Sequence, residues 1–427
     1  MKILVVGGGG REHAIIKKLK QNPQVTEIVA LPGNAGIAAD ATCVPIKATD
    51  IDGIVDYVRN NPVDFAVVAP DDPLALGCVD RLHALGVKCF GPDARAARIE
   101  ASKVFAKDLM KKYGIPTAAY EVFDDAGKAL EYVKSCPLPT VVKADGLALG
   151  KGVVIAFTRE EAESAVRSAM IDGAFGASGS RIVVEEFLEG PEVSVLAFTD
   201  GHVVKPMVSS MDHKRVGDGD VGPNTGGMGT VAPNPCYTPE VAERCMKEIF
   251  LPTIAAMNAE GCPFKGCLYF GLMVTKDGPK VIEYNCRFGD PETQVVLPLL
   301  KSDLLTVMMA VEDETLADTP VEFSDGAACC VMLASGGYPG KYEKGKVIDL
   351  GNAESLSEIY HSGTGRDAEG SLVTAGGRVL GISCTADDLK TAIEKAYRAA
   401  SEVKWDGMIC RRDIGQRALG ILHKETK

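Results

Sequence analysis

The stretch KVIEYNCRFGDPETQ, residues 280–294, carries the strongest signal for both architecture and chemistry in this chain. In a strand, Glu283 and Asn285 point to the same face. Two oxygen ligands on one face suit Mg²⁺, which takes few protein ligands and shares its other positions with phosphates and water. Arg287 projects from that face if the strand continues, where it can neutralise a carboxylate or a transferring phosphoryl group. The stretch therefore predicts a metal and phosphate site, and the alternative is an acid on the solvent face of an antiparallel sheet.

Two segments upstream suit a nucleotide. Lys143 lies in an apolar strand, and a buried lysine needs an anion. Lys151 lies between glycines, which let a loop approach phosphates, although a hairpin with a solvated lysine explains it equally well. In VVEEFLEGPE, residues 183–192, an extended sheet edge can offer backbone groups to an adenine ring, and Glu192 can accept from ribose hydroxyls. The alternative for this segment is an acidic, solvated turn.

Residues 1–100 alternate short apolar runs with amphipathic stretches, which predicts a parallel sheet covered by helices on both faces. Three of these runs end in loops of small or polar residues, at 7–10, 32–36 and 70–73. Ligands of such sheets bind at the carboxyl ends of the strands, so these loops predict the mouth of a site. The first loop leads into Arg11 at a helix start, a place that favours anions. A dinucleotide fingerprint fails there because Glu12 occupies the third glycine position.

A charged cluster followed by a glycine-rich loop occupies residues 209–229. Such a segment could hold a small zwitterion or a phosphate, and the alternative is a flexible surface loop. The wider stretch 211–235 shows no periodicity, so we expect it to be a long structureless loop.

The remaining pattern predicts the other elements and the domain division. We expect a hairpin of strands 265–275 and 279–285, one helix over about 292–312, and a C-terminal unit with strands 327–334, 345–350 and 378–384 and a helix over 386–402. The predicted domains are 1–101, parallel α/β; 102–325, central, with a small lid at about 120–192; and 326–427, α+β.

Composition limits the class of protein. The chain has 427 residues and a net charge of −12, so it has no general attraction for nucleic acid or anionic membranes. Its 13 cysteines are scattered without zinc-finger spacing, which favours a reduced, cytoplasmic protein. The first residues are a strand rather than a signal peptide, and no window is long enough to predict a membrane span.

Taken in order, these motifs resemble the ATP-grasp superfamily and, within it, the glycinamide ribonucleotide synthetase family, the phosphoribosylamine–glycine ligases of purine biosynthesis. The resemblance extends from Met1 to about Leu419. It rests on GGGREHA at 8–14, PGNAG at 32–36, KADGLA at 143–148, DHKR at 212–215, NTGGMG at 224–229 and RFGDPETQ at 287–294.

The resemblance implies a central ATP-grasp fold and an ATP-dependent ligation with Mg²⁺ or Mn²⁺. ATP would phosphorylate glycine, and the amine of 5-phosphoribosylamine would attack the glycyl phosphate, so positioning and charge neutralisation would carry the catalysis. It implies a monomer or weak dimer that binds neither nucleic acid nor membranes.

The resemblance also assigns site residues. Those implied for ATP are Lys103, Lys143, Lys151, Glu185, Glu186, Leu188 and Glu192. Those implied for the metal are Glu283 and Asn285. Those implied for glycine and phosphoribosylamine are Gly9, Gly10, Arg11, Asn34, Asp71, Asp212, Lys214, Gly226, Gly227, Met228, Arg287, Gly289 and Asp290. The catalytic residues implied are Arg287, Asp212 and Lys143.

One departure from the superfamily concerns the metal. The strand before Glu283 reads YFGLM at 269–273 and lacks the usual acid. Either Glu283 and Asn285 alone bind the metal, or another carboxylate such as Asp290 assists. Three other functions stay open: an ATP-grasp ligase for bicarbonate or formate, a non-catalytic nucleotide sensor, and a nicotinamide dehydrogenase suggested only by the first strand and its glycines.

Overall fold

The structure is a computed structural model that describes residues 1–147 and 152–425, so the predicted phosphate-binding Lys151 lies outside the described residues. The N-terminal part is the predicted parallel sheet, with strand order β3-β2-β1-β4-β5. Ile3 to Val6 are fully buried because helices cover both faces of the sheet. Its elements are β1 (Lys2–Gly7), α1 (Gly10–Leu19), β2 (Glu27–Pro32), β3 (Thr42–Cys43), α2 (Ile51–Asn60), β4 (Phe65–Val68), α3 (Asp71–Ala75), α4 (Cys78–His83), β5 (Lys88–Phe90) and α5 (Ala94–Ala101).

A lid made of an antiparallel sheet and two helices follows. Its sheet has the order β6-β9-β7-β8, and Ser102 caps the helix that leads into it by accepting from Phe105 N. The elements are α6 (Lys103–Tyr113), β6 (Tyr120–Phe123), α7 (Ala126–Val133), β7 (Thr140–Ala144), β8 (Val153–Ala156), α8 (Arg159–Met170) and β9 (Ile182–Glu186).

The central sheet has the order β11-β10-β16-β17. The predicted hairpin is present, and β17 places Glu283 opposite Gly271 and Asn285 opposite Tyr269, on one face. The elements from here to the next sheet are β10 (Glu192–Thr199), β11 (Val204–Pro206), β12 (Met211–Asp212), β13 (Arg215–Gly217), β14 (Val221–Asn224), β15 (Gly229–Ala232), α9 (Pro239–Cys245), α10 (Leu251–Ala259), β16 (Gly266–Thr275), β17 (Gly278–Asn285), α11 (Thr293–Leu299) and α12 (Leu304–Glu312).

The C-terminal sheet has the order β12-β15-β18-β22-β19, with β23 paired to β18. It therefore takes two strands from the segment 211–232 and joins them to strands from beyond residue 326. Its own elements are β18 (Ala327–Ser335), α13 (Ala353–Leu356), β19 (Glu358–His361), β20 (Thr364–Arg366), β21 (Leu372–Thr374), β22 (Arg378–Ala386), α14 (Leu389–Ala400), β23 (Met408–Ile409) and α15 (Gln416–Glu425).

Three expectations were wrong. The segment 211–235 is not a structureless loop, because four short strands run through it. The single helix expected over 292–312 is two helices, since Leu300 leaves the helical conformation shortly after Pro298. The strand expected at 345–350 is absent from the described residues; Val347 and Asp349 form only isolated bridges to Val373 and Lys404.

Among residues 1–147 and 152–425, no helix is both long and apolar enough to cross a membrane.

Candidate active site

The cleft between the lid and the central sheet contains a buried cluster of two lysines and one glutamate. Lys107 on α6 and Lys143 on β7 each lie 3.0 Å from the Oε2 atom of Glu185 on β9. All three side chains are at most 5% exposed. One carboxylate cannot neutralise two ammonium groups, so the cluster keeps a net positive charge. This charge favours the binding of a phosphate group. Lys107 was not predicted, because its position in the sequence is that of an ordinary lysine on the polar face of an amphipathic helix.

The charges of this cluster affect one another. Burial lowers the pKa of Lys107 to about 8, and Glu185 opposes that change. The Oε1 atom of Glu185 is buried without a hydrogen-bond partner among the described residues. A bound ligand with a donor group would satisfy it.

Glu185 was expected to offer its backbone to an adenine ring, and the structure gives it a different position. Its strand lies between β6 and β7, and its carbonyl accepts from the hydroxyl of Thr140 at 2.9 Å. Glu186 is likewise tied to Ala119, through both its backbone N–H and its carboxylate. Beyond the end of β9, the described residues provide no hydrogen-bond partner for the backbone of Leu188. Of the predicted adenine contacts, Leu188 is the one whose backbone is open to a ligand.

Lys103 and Glu192, two further residues predicted to bind ATP, each contact another segment of the predicted site. Lys103 Nζ donates to the carbonyl of Gly146 at 2.8 Å, close to the start of the segment 148–151 that the structure does not describe. Burial lowers the pKa of Lys103, and the charge of Glu283 opposes the change, so the two side chains are near each other. Glu192 accepts from Lys214 Nζ at 2.8 Å, which brings two predicted site residues into contact.

Glu283 lies among cations. Burial would raise its pKa, but Lys214, Lys143, Lys103 and Arg287 together lower it below the ordinary value. Across the described residues, no group of three or more His, Cys, Asp and Glu side chains could hold a metal ion. The protein thus supplies two predicted metal ligands, Glu283 and Asn285, and phosphates and water would have to complete the shell.

Arg287 connects the metal face to the N-terminal part. Its Nη2 atom donates to Glu100 Oε1 at 2.9 Å and to Asn285 Oδ1 at 3.1 Å. Burial alone would lower the pKa of Arg287, but Glu100 and Asp71 raise it above its ordinary value. Its Nε atom is buried without a partner among the described residues. The guanidinium is therefore charged and still has a donor to offer.

The half-buried carboxylate of Asp212 lies near the buried carboxylate of Glu292, which in turn lies near Arg287. Burial and the charge of Glu292 raise the pKa of Asp212 well above its ordinary value, and burial also raises that of Glu292. Glu292 Oε1 accepts from the hydroxyl of Tyr269 at 3.2 Å, and that hydroxyl lies 2.8 Å from Ser194 Oγ. Glu292 belongs to the motif at residues 287–294, but the sequence did not predict a role for it. Nothing in the sequence pattern indicated that Ser194 or the hydroxyl of Tyr269 would contact the site.

Asp290, considered above as an additional metal ligand, contacts other side chains in this structure. Its carboxylate lies 3.3 Å from Arg378 Nη2 and accepts from Gln294 Nε2 at 2.7 Å. It faces the loop of Gly9 and Gly10, whose Cβ positions would lie 3.5 and 3.7 Å from its oxygens. The structure therefore places Asp290 at the predicted phosphoribosylamine side of the cleft.

The N-terminal loops meet this side of the cleft. Arg11 donates to the carbonyl of Phe288 at 3.1 Å and to Glu12 Oε1 at 2.7 Å. Glu12 also accepts from Gly9 N at 2.6 Å, so it already occupies one donor at the helix start that was expected to favour an anion. The side-chain amide of Asn34 is fully used within the protein, because it donates to the carbonyls of Gly8 and His361 and accepts from two backbone N–H groups of its own loop. Any substrate contact there would have to come from the loop backbone.

Arg378 of the C-terminal sheet was not predicted, yet it joins two site segments. Its Nη1 atom donates to the carbonyls of Gly226 and Asp290, each at 2.7 Å. Gly227 has φ +111°, and a Cβ there would lie 2.7 Å from Asp212 and 2.5 Å from Pro291. Met228 is fully buried, and its backbone N–H and carbonyl already pair with His213 and Met332. Gly289 is equally crowded, because a Cβ would lie 2.3 Å from Glu292.

The chain was compared with families of known proteins. Models of the phosphoribosylglycinamide synthetase N domain, ATP-grasp (A) domain and C domain match residues 1–100, 101–293 and 328–417. A phosphoribosylamine–glycine ligase of Vibrio vulnificus is 47% identical over 424 residues, covering 98% of this chain and 99% of that protein. One of Chlorobaculum tepidum is 46% identical, covering 98% and 100%.

Solved structures agree with these matches. The phosphoribosylamine–glycine ligase of Thermotoga maritima superposes with a TM-score of 0.86 at 36% identity, covering 97% of this chain and 100% of that one. The biotin carboxylase domain of a Hydrogenobacter thermophilus 2-oxoglutarate carboxylase, crystallised with MgADP and bicarbonate, superposes with a TM-score of 0.72 at 18% identity, covering 96% and 91%. This second likeness concerns the fold alone, and it confirms the expected central architecture.

Proposed function

The chain belongs to the phosphoribosylglycinamide synthetase family, and on that premise we propose that it joins glycine to 5-phosphoribosylamine at the expense of ATP. ATP phosphorylates the glycine carboxylate, and the amine of 5-phosphoribosylamine then displaces phosphate from glycyl phosphate. The products are glycinamide ribonucleotide, ADP and phosphate, a step of purine biosynthesis. The observation that carries the proposal is the convergence of Lys143, Lys103 and Arg287 around Glu283 in a chain that matches all three family models.

ATP occupies the cleft between the lid and the central sheet. Lys103, Lys107 and Lys143 attract its phosphates, with Lys151 as a further candidate. The backbone at Leu188 meets the adenine ring, and Glu192 accepts from the ribose hydroxyls. Glu185 fixes the two buried lysines, and its unpartnered Oε1 atom supports a ligand donor nearby.

Glu283 and Asn285 hold the divalent metal, Mg²⁺ or Mn²⁺. Bound there, the metal would neutralise charge on the phosphates of ATP. Glu283 is surrounded by cations, so a bare metal ion gains little from this site. The nucleotide phosphates add the missing negative charge, and metal and nucleotide therefore bind together.

The two other substrates meet beside Arg287. Asp212, with Glu292 behind it, accepts from the ammonium group of glycine, and the backbone of Gly226, Gly227 and Met228 encloses it. Arg287 stabilises the negative charge of the acyl phosphate, since its guanidinium has a free donor. Phosphoribosylamine lies on the side of Arg287 opposite to glycine, against Gly9, Gly10, Arg11, Asp71, Gly289 and Asp290. Lys214 positions Glu192 by donating to its carboxylate.

The division into domains 1–101, 102–325 and 326–427 also remains our proposal, as do a cytoplasmic location and a monomeric or weakly dimeric state.

The test is ADP release by the purified chain with ATP, Mg²⁺, glycine and freshly formed 5-phosphoribosylamine. We expect release only when both co-substrates are present. Bicarbonate and formate, offered in place of glycine, are the controls. Release with either of them, but not with glycine, would assign the chain to another ATP-grasp reaction, and ATP binding without any turnover would make it a sensor.

A further inference from the structure

A separate cavity of about 680 Å³ lies along the C-terminal half of α1. Its walls come from α1, the end of α11, the segment 355–360, the end of β22 and α14. None of the residues assigned above to ATP, metal, glycine or phosphoribosylamine lines it. A cavity of this size holds a metabolite-sized molecule rather than a single ion.

The cavity is lined by five cations and two acids: Lys17, Lys18, Lys20, Lys395 and Arg398, with Asp40 and Glu358. Two of the cations are paired, Lys17 with Glu358 at 2.8 Å and Lys20 with Asp40 at 2.7 Å. The other three have no carboxylate within 4.0 Å among the described residues. The whole chain has 58 acids and 46 bases, so three unpaired cations at one cavity run against its overall charge.

Two of the three unpaired cations donate to backbone carbonyls instead of carboxylates. Lys18 Nζ donates to the carbonyl of Leu300 at 2.6 Å, and Lys395 Nζ donates to that of Thr385 at 3.4 Å. The guanidinium of Arg398 has no partner among the described residues. Lys18 is only partly exposed, and burial lowers its pKa, although the charge of Asp303 opposes that change. The three unpaired cations therefore favour a ligand with at least two negative charges.

The cavity also has an apolar side. Tyr360, Leu356 and Pro298 line it, and Lys17 Nζ lies 5.7 Å above the ring of Tyr360. Free phosphate would leave this side unused. Lysines near helix C-termini can be explained by the helix dipole alone, but that explanation does not account for cations of α1 and α14 facing the same cavity.

We propose that this cavity binds a phosphorylated small molecule with an organic body, at a site separate from the catalytic cleft. The phosphate groups contact Lys18, Lys395 and Arg398, and the organic body rests on Tyr360 and Leu356. Such a ligand would bridge α1, which begins at the Gly9–Gly10 loop, and α14 of the C-terminal part.

The proposal is tested by calorimetric titration of the full chain with fructose 1,6-bisphosphate, a probe without adenine or ribosylamine, and in parallel with inorganic phosphate. We expect one saturable site for the bisphosphate and weaker binding of phosphate. In the double variant Lys18→Ala/Arg398→Ala the affinity for the bisphosphate should fall by about tenfold or more, because two charge-assisted contacts are lost. Thermal unfolding checks the fold, and the single variant Arg398→Ala, at an exposed residue, provides a second reading.

Two variants serve as matched controls. Lys390→Ala removes a charge from the same helix outside the cavity, and Lys143→Ala removes a charge from the catalytic cleft. Both should keep the wild-type affinity for the probe. No saturable binding below about 10 mM, an affinity unchanged in the double variant, loss of binding in Lys143→Ala, or phosphate binding as tightly as the bisphosphate would each overturn the proposal.

Discussion

At the scale of single residues, Glu185 and its two lysines show how the cleft stores positive charge inside an acidic protein. Lys107 and Lys143 share one carboxylate oxygen, and the nearest acid on the metal face, Glu283, already faces further cations. The sequence predicted Lys143, because a lysine in an apolar strand is unusual. It could not predict Lys107, because contact between α6 and β9 depends on the packing of the lid.

The titration of Lys107 gives a testable pH dependence. Its pKa is about 8, so it is charged below that pH and neutral above it. We expect the KM for ATP to rise about tenfold as the pH increases from about 7 to 9.5, because the phosphates lose one cationic partner. Lys107→Arg, which stays protonated, should keep KM nearly constant over the same range. A KM that rises equally in both proteins would assign the effect to another group.

Metal loading is a second property of single residues. Since Glu283 lies among four cations, we expect calorimetry to detect no Mg²⁺ binding at millimolar concentration without nucleotide, and clear binding with an ATP analogue. Glu283→Gln should remove the nucleotide-dependent binding and the turnover. Glu248→Gln, a change at an acid far from the cleft, is the control. Tight Mg²⁺ binding by the nucleotide-free wild type would contradict the two-ligand site.

At the scale of elements, the sequence predicted those whose pattern is local. The hairpin at 276–278 and the helices α1 and α2 of the parallel part follow from periodicity and turn residues. The strand β15 could not be predicted, because its pairing partner β18 lies about 100 residues away and all four of its residues are buried. A strand that is buried on both faces lacks the alternation of apolar and polar residues by which a strand is predicted.

The glycine-rich loop before β15 can be tested with a matched pair of substitutions. Gly227→Ala should lower kcat/KM about a hundredfold and destabilise the protein by about 1–3 kcal/mol, because φ is positive and the Cβ would meet Asp212 and Pro291. Gly219→Ala also has a positive φ, but no atom lies within 4 Å of its Cβ. It should lose stability without a comparable loss of activity. Equal losses of activity in both variants would mean that backbone strain, not contact with Asp212, matters.

At the scale of the whole molecule, the site is built by all three regions of the chain. Arg11 comes from α1 of the N-terminal part, Asp290 follows the central sheet, and Arg378 belongs to the C-terminal sheet. The motifs at 8–14 and 287–294 identified Arg11 and Asp290, because each motif contains several predicted site residues close together in the sequence. Arg378 stands alone in the sequence, so only the assembled fold reveals its contacts.

This convergence predicts what Arg378 does. Arg378→Ala should raise the KM for glycine and phosphoribosylamine at least tenfold and change that for ATP little, because it frees Gly226, Gly227 and Asp290 but touches no ATP residue. The control is Arg366→Ala at an exposed residue, whose guanidinium hydrogen-bonds, among the described residues, only to the carbonyl of Gly370. A larger effect on ATP than on the other substrates would place Arg378 elsewhere in the mechanism.

The central claim is that ATP phosphorylates the carboxylate of glycine in this cleft before the amine of phosphoribosylamine attacks. Glycine labelled with heavy oxygen in its carboxylate tests this most directly, by mass spectrometry of the phosphate released during turnover. The account predicts one labelled oxygen in each phosphate formed, and release that depends on phosphoribosylamine. Turnover that yields only unlabelled phosphate would contradict it.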